Sequence, residues 1–338
     1  MMHELTCPAD LEDLATLSAA VGADPLLIQA AGGNISVKDG ATLWIKASGT
    51  LLADALKKDI FVPVDLPAMR RALAEDSLGA DQTLRFALAS DGLRPSIETS
   101  LHAVFRQRVV VHVHCVNTLA HAVRRDAESL LAGKLEPFDW RFVPYCKPGA
   151  KLANQVADTL GPQTSVVVMG NHGLIVAGDS IAETEDLLGR VCTALHLAPA
   201  AAQRADIDGL SAMAGDAWEV PAASCSLHQL ALTPGRVAQA TGGSLYPDHV
   251  IFCGVGAKAA DGASLPRGVE RPPFVIVPGK GVLVTPDASV GARALATCLA
   301  DVLLRVPDTA ELVYLSAAEN AELVDWDAEK YRKALNAG

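Results

Sequence analysis

Six consecutive residues, 109–114, read Val-Val-Val-His-Val-His and constrain this chain more than any other stretch. A β-branched run of this kind reads as a strand inside a sheet. Side chains alternate along a strand, so Val109, Val111 and Val113 face one way and Val110, His112 and His114 the other. The two imidazoles then share a face with Cβ atoms roughly 7 Å apart. That spacing lets both converge on one ion at about 2.0–2.1 Å each. A third ligand has to come from elsewhere. His172 is the best placed, because it follows a buried strand-like run and precedes Gly173, where the backbone can turn tightly beside a ligand. Three imidazoles with open positions describe a catalytic site, not a closed structural one. Zinc (Zn2+) is the default metal, and Mn2+ or Co2+ can substitute. Spacing alone leaves a second reading open, in which the histidines are satisfied core residues.

The rest of the chain narrows the function classes. Its 338 residues suggest two domains, or one large domain with an extension. The formal net charge is −11, which argues against nucleic-acid partners, since phosphate backbones demand clustered Lys and Arg. An aromatic content of 4% argues against stacking platforms for single strands. The seven cysteines are scattered with no CxxC pair, the pattern of a reduced cytoplasmic protein. No apolar run reaches the length of a membrane span, so no membrane partner is expected. The acidic start, with Glu4, Asp10, Glu12 and Asp13, does not read as a signal peptide.

Periodicity places a helix over residues 8–21 and a hairpin of residues 35–37 and 42–45 around Asp39-Gly40. Strands are expected at 60–64, 141–143 and 165–169, with helices at 69–74, 119–124, 151–160 and 181–197. Beyond residue 205 the texture changes, and Gly, Pro and Ser punctuate short segments. Residues 248–253, 274–277 and 282–284 read as strands and 291–304 as a helix. A first domain over 1–205 and a smaller α+β extension over 236–338 follow, with a soft boundary at 205–235. The sheet is expected to be antiparallel or mixed with helical cover. Gly254-Val255-Gly256-Ala257-Lys258-Ala259 matches GxGxxA, but the residues after it make a poor helix, so it reads as a loop.

Ser96, after Pro95, reads as the cap of a helix carrying Glu98, Leu101, His102 and Phe105 on one face. Glu98 is suited to act as general base or fourth metal ligand. Taken by itself, it reads first as a first-turn glutamate favoured by the helix dipole. His102, one turn on, either orients Glu98 or a ligand or is a core histidine. Three loops offer anion-cradling donors: residues 32–36 with Asn34, residues 46–50 with Lys46, Ser48 and Gly49, and Pro95-Ser96. Each is an ordinary turn unless the fold brings them together.

Six stretches in this order resemble the class II aldolase/adducin family: GGNISV (32–37), KASGT (46–50), PSIETSLHAVF (95–105), VVVHVHCVNTLAHA (109–122), VPYCKPGAKLA (143–153) and GNHGLIVAGDSIAETEDL (170–187). Further stretches, PDHV (247–250), VPGKGVLV (277–284) and LSAAENAELVDWDAEKY (315–331), resemble the aldolase half of rhamnulose-phosphate aldolase/dehydrogenase fusion proteins. The resemblance implies a three-layer αβα sandwich around a mainly antiparallel sheet, assembled as a homotetramer. It implies zinc on His112, His114 and His172, and acid/base work by Glu98. Binding of the substrate's phosphate by Asn34, Ser48, Gly49 and Ser96 follows in the same way. The implied activity is a metal-dependent lyase of carbohydrate metabolism. It cleaves a sugar phosphate or related hydroxy-keto acid by a retro-aldol reaction through an enediolate.

Relatives run epimerisation, dehydration or decarboxylation on the same site, and adducin-like members bind without catalysis, so both remain as alternatives. The chain departs from the family pattern in two places. Ile97 stands where sugar-phosphate aldolases carry a second serine, and no tyrosine lies between Val123 and Pro137, where the aldehyde-handling acid is expected. Tyr145 is the remaining candidate for that acid.

Overall fold

A computed structural model describes residues 7–75, 77–89, 92–261, 264–266 and 271–324. The extreme N-terminal residues and the 325–331 part of the last motif block lie outside the described residues. The chain divides into two compact units, Met1–Cys115 with Ala132–Leu195, and Val116–Leu131 with His196–Gly338.

The first unit is built on seven strands. These are β1 (Asn34–Asp39), β2 (Thr42–Lys46), β3 (Phe61–Asp65), β4 (Val109–Val113), β5 (Trp140–Val143), β6 (Val166–Met169) and β7 (Gly173–Gly178). They lie in the order β3-β2-β1-β4-β7-β6-β5. Every neighbouring pair is antiparallel except β5 with β6. That parallel pair is joined by a crossover containing the helix Ala150–Thr159, because parallel neighbours cannot be joined by a tight turn. The expected Asp39-Gly40 turn closes the β1–β2 hairpin, and Gly40 has φ +54°.

One face of this sheet presents Leu43, Ile45, Val64, Val110, Val167 and Ile175 to the helices Leu66–Glu75, Thr99–Val104 and Ala150–Thr159. The helices Leu11–Ala23 and Ile181–Ala194 pack on β1, β4 and β7 from the other side. Three layers result, with β4 at the centre and buried along its whole length. This is why β4 is valine-rich without a polar face.

The second unit holds a three-stranded sheet of β8 (Lys258–Ala259), β9 (Phe274–Val277) and β10 (Gly281–Val284) in the order β10-β9-β8. β9 and β10 form an antiparallel hairpin. Leu210, Trp218, Val275, Val277 and Leu283 make its core.

Two expectations are corrected. Residues 248–253 are not a strand but belong to the helix Pro247–Cys253, every residue of which is buried. A helix covered on all sides has no amphipathic period, so its Val, Ile and Phe read as strand. Ser96 does not cap a helix either. The helix starts at Thr99, with Glu98 at the preceding position. Ser96 Oγ instead accepts a hydrogen bond from the Glu98 N–H at 3.2 Å, a local turn just before the helix. The GxGxxA stretch follows that buried helix and runs into the two-residue β8, and no helix begins there among the described residues.

Candidate active site

The central strand sets the site. Val110 and His112 point to the face covered by the helix Thr99–Val104, and His114 follows just past the strand end. His172 arrives on the same spot from the β6–β7 hairpin, whose register pairs Met169 with Gly173. The loop between them is residues 170–172, with Asn171 at φ +55°. Asparagine tolerates this left-handed backbone better than other non-glycine residues. Gly173 is needed for the approach, since a Cβ there would meet Val113 O at 2.5 Å.

The three rings converge. Centroids lie 4.9 Å apart for His112 and His114, 5.0 Å for His112 and His172, and 5.4 Å for His114 and His172. His112 Nδ1 donates to Leu174 O at 3.1 Å. With Nδ1 protonated, Nε2 carries a lone pair, and burial pushes this imidazole down to about 3 so that the ring is neutral. His112 Nε2 lies 3.1 Å from His114 Nε2. Two nitrogens bound at about 2.05 Å around a tetrahedral ion stand roughly 3.3 Å apart. His172 Nδ1 is buried without a hydrogen-bond partner. Among the described residues, these three histidines are the group whose ligand atoms approach closely enough for one ion. The donor set therefore fits a divalent transition metal.

Glu98 faces the histidines. Its Oε1 is 3.2 Å from His172 Nε2 and its Oε2 is 3.5 Å from His112 Nε2. Burial alone would raise this carboxyl, but the imidazoles of His112, His172 and His114 outweigh it and hold it well below the usual range. Oε2 accepts from Asn34 Nδ2 at 2.8 Å, whereas Oε1 has the His172 imidazole beside it.

The three anion-cradling loops come together. Ser48 N donates to Arg94 O at 2.8 Å and Ser96 N to Lys46 O at 3.1 Å, which stitches residues 46–48 to residues 94–96. Lys46 Nζ reaches Ala31 O at 3.1 Å, tying in the loop before β1. Asn34 Nδ2 also donates to Ser96 Oγ at 3.2 Å. Gly49, at φ +79°, turns the chain beside Ser48. Lys46, Ser48, Ser96 and Asn34 are all buried.

Sequence reasoning missed the engagement of Asn34 with Glu98. The pairing spans 64 positions, and only the β1–β4 register, which sets Asn34 opposite His112, reveals it. Tyr145 lies beside the His172 hairpin, where its backbone N is 3.2 Å from the Cβ position of Gly170.

Comparison with known proteins bears on the family and the fold. A solved structure of the N-terminal class II aldolase domain of a conserved protein from Thermoplasma acidophilum is 25% identical, with a TM-score of 0.50. The match covers 57% of this chain and 95% of that one. The L-fuculose phosphate aldolase of Methanocaldococcus jannaschii is 25% identical over 170 residues, 47% of this chain and 78% of the relative. The uncharacterized oxidoreductase YuxG of Bacillus subtilis (strain 168) is 27% identical over 188 residues, 51% of this chain. That match spans only 27% of the oxidoreductase's own length. The family model for the class II aldolase and adducin N-terminal domain matches residues 12–198. This range takes in more than half of the chain and every residue of the site above, so the chain belongs to the class II aldolase and adducin family.

Proposed function

We propose that this protein is a zinc-dependent lyase that cleaves a sugar phosphate, or a related hydroxy-keto acid, between two carbons in a retro-aldol reaction. The observation that carries this reading is the position of one buried carboxylate, Glu98, within 3.2–3.5 Å of two of three convergent imidazoles. His112, His114 and His172 hold the metal. A divalent ion there supplies positive charge to the carbonyl and hydroxyl oxygens of the substrate as negative charge develops on cleavage.

The chain's own residues do the rest. Glu98 moves the proton at the carbon that becomes nucleophilic, and Oε1, the oxygen that Asn34 does not hold, is the atom that does so. The hydroxyl groups of Ser48 and Ser96, with Gly49 and the Lys46 ammonium, bind the substrate's acidic group. Lys46, Ser48 and Ser96 are buried, so they meet that group out of bulk water.

The test is product analysis of the zinc-loaded protein on a panel of phosphorylated and unphosphorylated ketoses and hydroxy-keto acids. Two carbonyl-containing fragments are expected. An isomer, or loss of CO2 or water without fragmentation, would replace the lyase with another reaction of the same site.

A further inference from the structure

Four buried side chains run in a line behind the metal face. Ser36 and Asn34 lie on one face of β1, and His102 and Glu98 come from the helix Thr99–Val104 and the residue before it. Ser36 Oγ is 2.7 Å from His102 Nδ1. His102 Nε2 contacts Asn34 Oδ1, and Asn34 Nδ2 donates to Glu98 Oε2 at 2.8 Å. His102 and Ser36 are fully buried, and Asn34 and Glu98 nearly so.

The chemistry of the groups fixes the direction of every bond. The Glu98 carboxylate only accepts, so Asn34 turns its NH2 to it. The amide oxygen, which also only accepts, is then left facing His102, so His102 carries its proton on Nε2. Burial holds the His102 imidazole well below its usual range, and the ring is neutral. Nδ1 is therefore bare and takes the Ser36 hydroxyl proton. The result is a one-way chain from Ser36 through His102 and Asn34 to Glu98.

An amide is nearly symmetrical in shape, and turning Asn34 over would set its oxygen against the Glu98 carboxylate. The carboxylate opposes this from one side, and a donor facing the amide oxygen opposes it from the other. We infer that His102 is a positioning residue for the proposed reaction: its Nε2–H locks the Asn34 amide in the orientation that anchors Glu98 Oε2 and leaves Oε1 to move the proton. This rests on the reading of Glu98 as the proton-transfer group.

Two measurements test it on the zinc-loaded full chain. In the first, 15N spectra of histidine-labelled protein are recorded, with the His102 signals identified by their loss in His102→Leu or His102→Gln. Nε2 is expected to be protonated and Nδ1 bare; a bare Nε2 overturns the inference. This readout needs no turnover, so a protein with no lyase activity would sink the proposed function while the tautomer still decides the orientation of Asn34.

In the second, kinetics are compared at equal metal content. His102→Leu is expected to lower kcat by roughly 10–100-fold with KM unchanged. His102→Gln places an amide N–H near the lost Nε2–H, and most of the rate is expected to return. Equal losses in both variants, or a raised KM with unchanged kcat, overturn the inference.

Discussion

Asn34 and His112 face each other across the β1–β4 ladder, and Glu98 lies against both. The ladder thus sets an amide donor beside a metal-facing imidazole, with no loop between them to loosen the spacing. A carboxylate brought to this pair is held at 2.8 Å by the amide and stands 3.5 Å from the imidazole. Glu98 and the histidine face are therefore held by the same two strands.

Glu98→Gln separates holding from proton transfer. The glutamine side-chain oxygen can still accept from Asn34, and the three histidines are untouched. Metal content is expected to stay at the wild-type level while kcat falls about 100- to 10,000-fold, the usual worth of a positioned acid or base. Turnover near wild type would remove Glu98 from the mechanism.

Gly173→Ala tests how closely β7 must approach β4. The added Cβ would stand 2.5 Å from Val113 O, 3.2 Å from His112 Cε1 and 3.4 Å from His114 Cδ2. A backbone carbonyl in a central ladder has little room to yield. The variant is expected to lose about 1–3 kcal/mol in denaturant unfolding and to surrender its metal to a chelator sooner than wild type. An unchanged midpoint together with unchanged metal retention would show that the strands part at no cost.

Lys38 gives a pH signature in the folding stability. Its Nζ donates to Gln107 O at 2.7 Å. Burial, with the Arg70 charge adding to it and Asp179 opposing, pushes the ammonium from 10.5 down to about 7. Between those values the unfolded chain binds the proton and the folded chain does not. Stability from this group therefore rises with pH through that window, by about 1.4 kcal/mol per pH unit. Below the folded value the penalty is present in full. Relative to wild type, Lys38→Met is expected to be most favourable at and below pH 7, with the difference shrinking towards pH 10. Denaturant unfolding over that range measures it, and a pH-independent difference would contradict it.

Much of this was legible in the sequence where one period dominated. β4 is read from the alternation of valines with His112 and His114, and the β1–β2 hairpin from Asp39-Gly40. His172 is read from the hairpin glycine that follows it. What escaped depended on surroundings the sequence does not display. The helix Pro247–Cys253 is buried on every side and lost its period. Ser96 has a capping residue's chemistry, but Asn34 and the Glu98 N–H claim its hydroxyl. His102 joins a partner 68 positions away, so no local spacing names its role.

The most direct measurement is the metal content of protein purified without chelators or a histidine tag, beside the His112→Ala variant. About one zinc or similar ion per chain is expected in the wild type, and none in the variant, with both chains folded. No bound metal in the wild type, even after incubation with zinc, manganese and cobalt, would contradict the account and return the three histidines to the core.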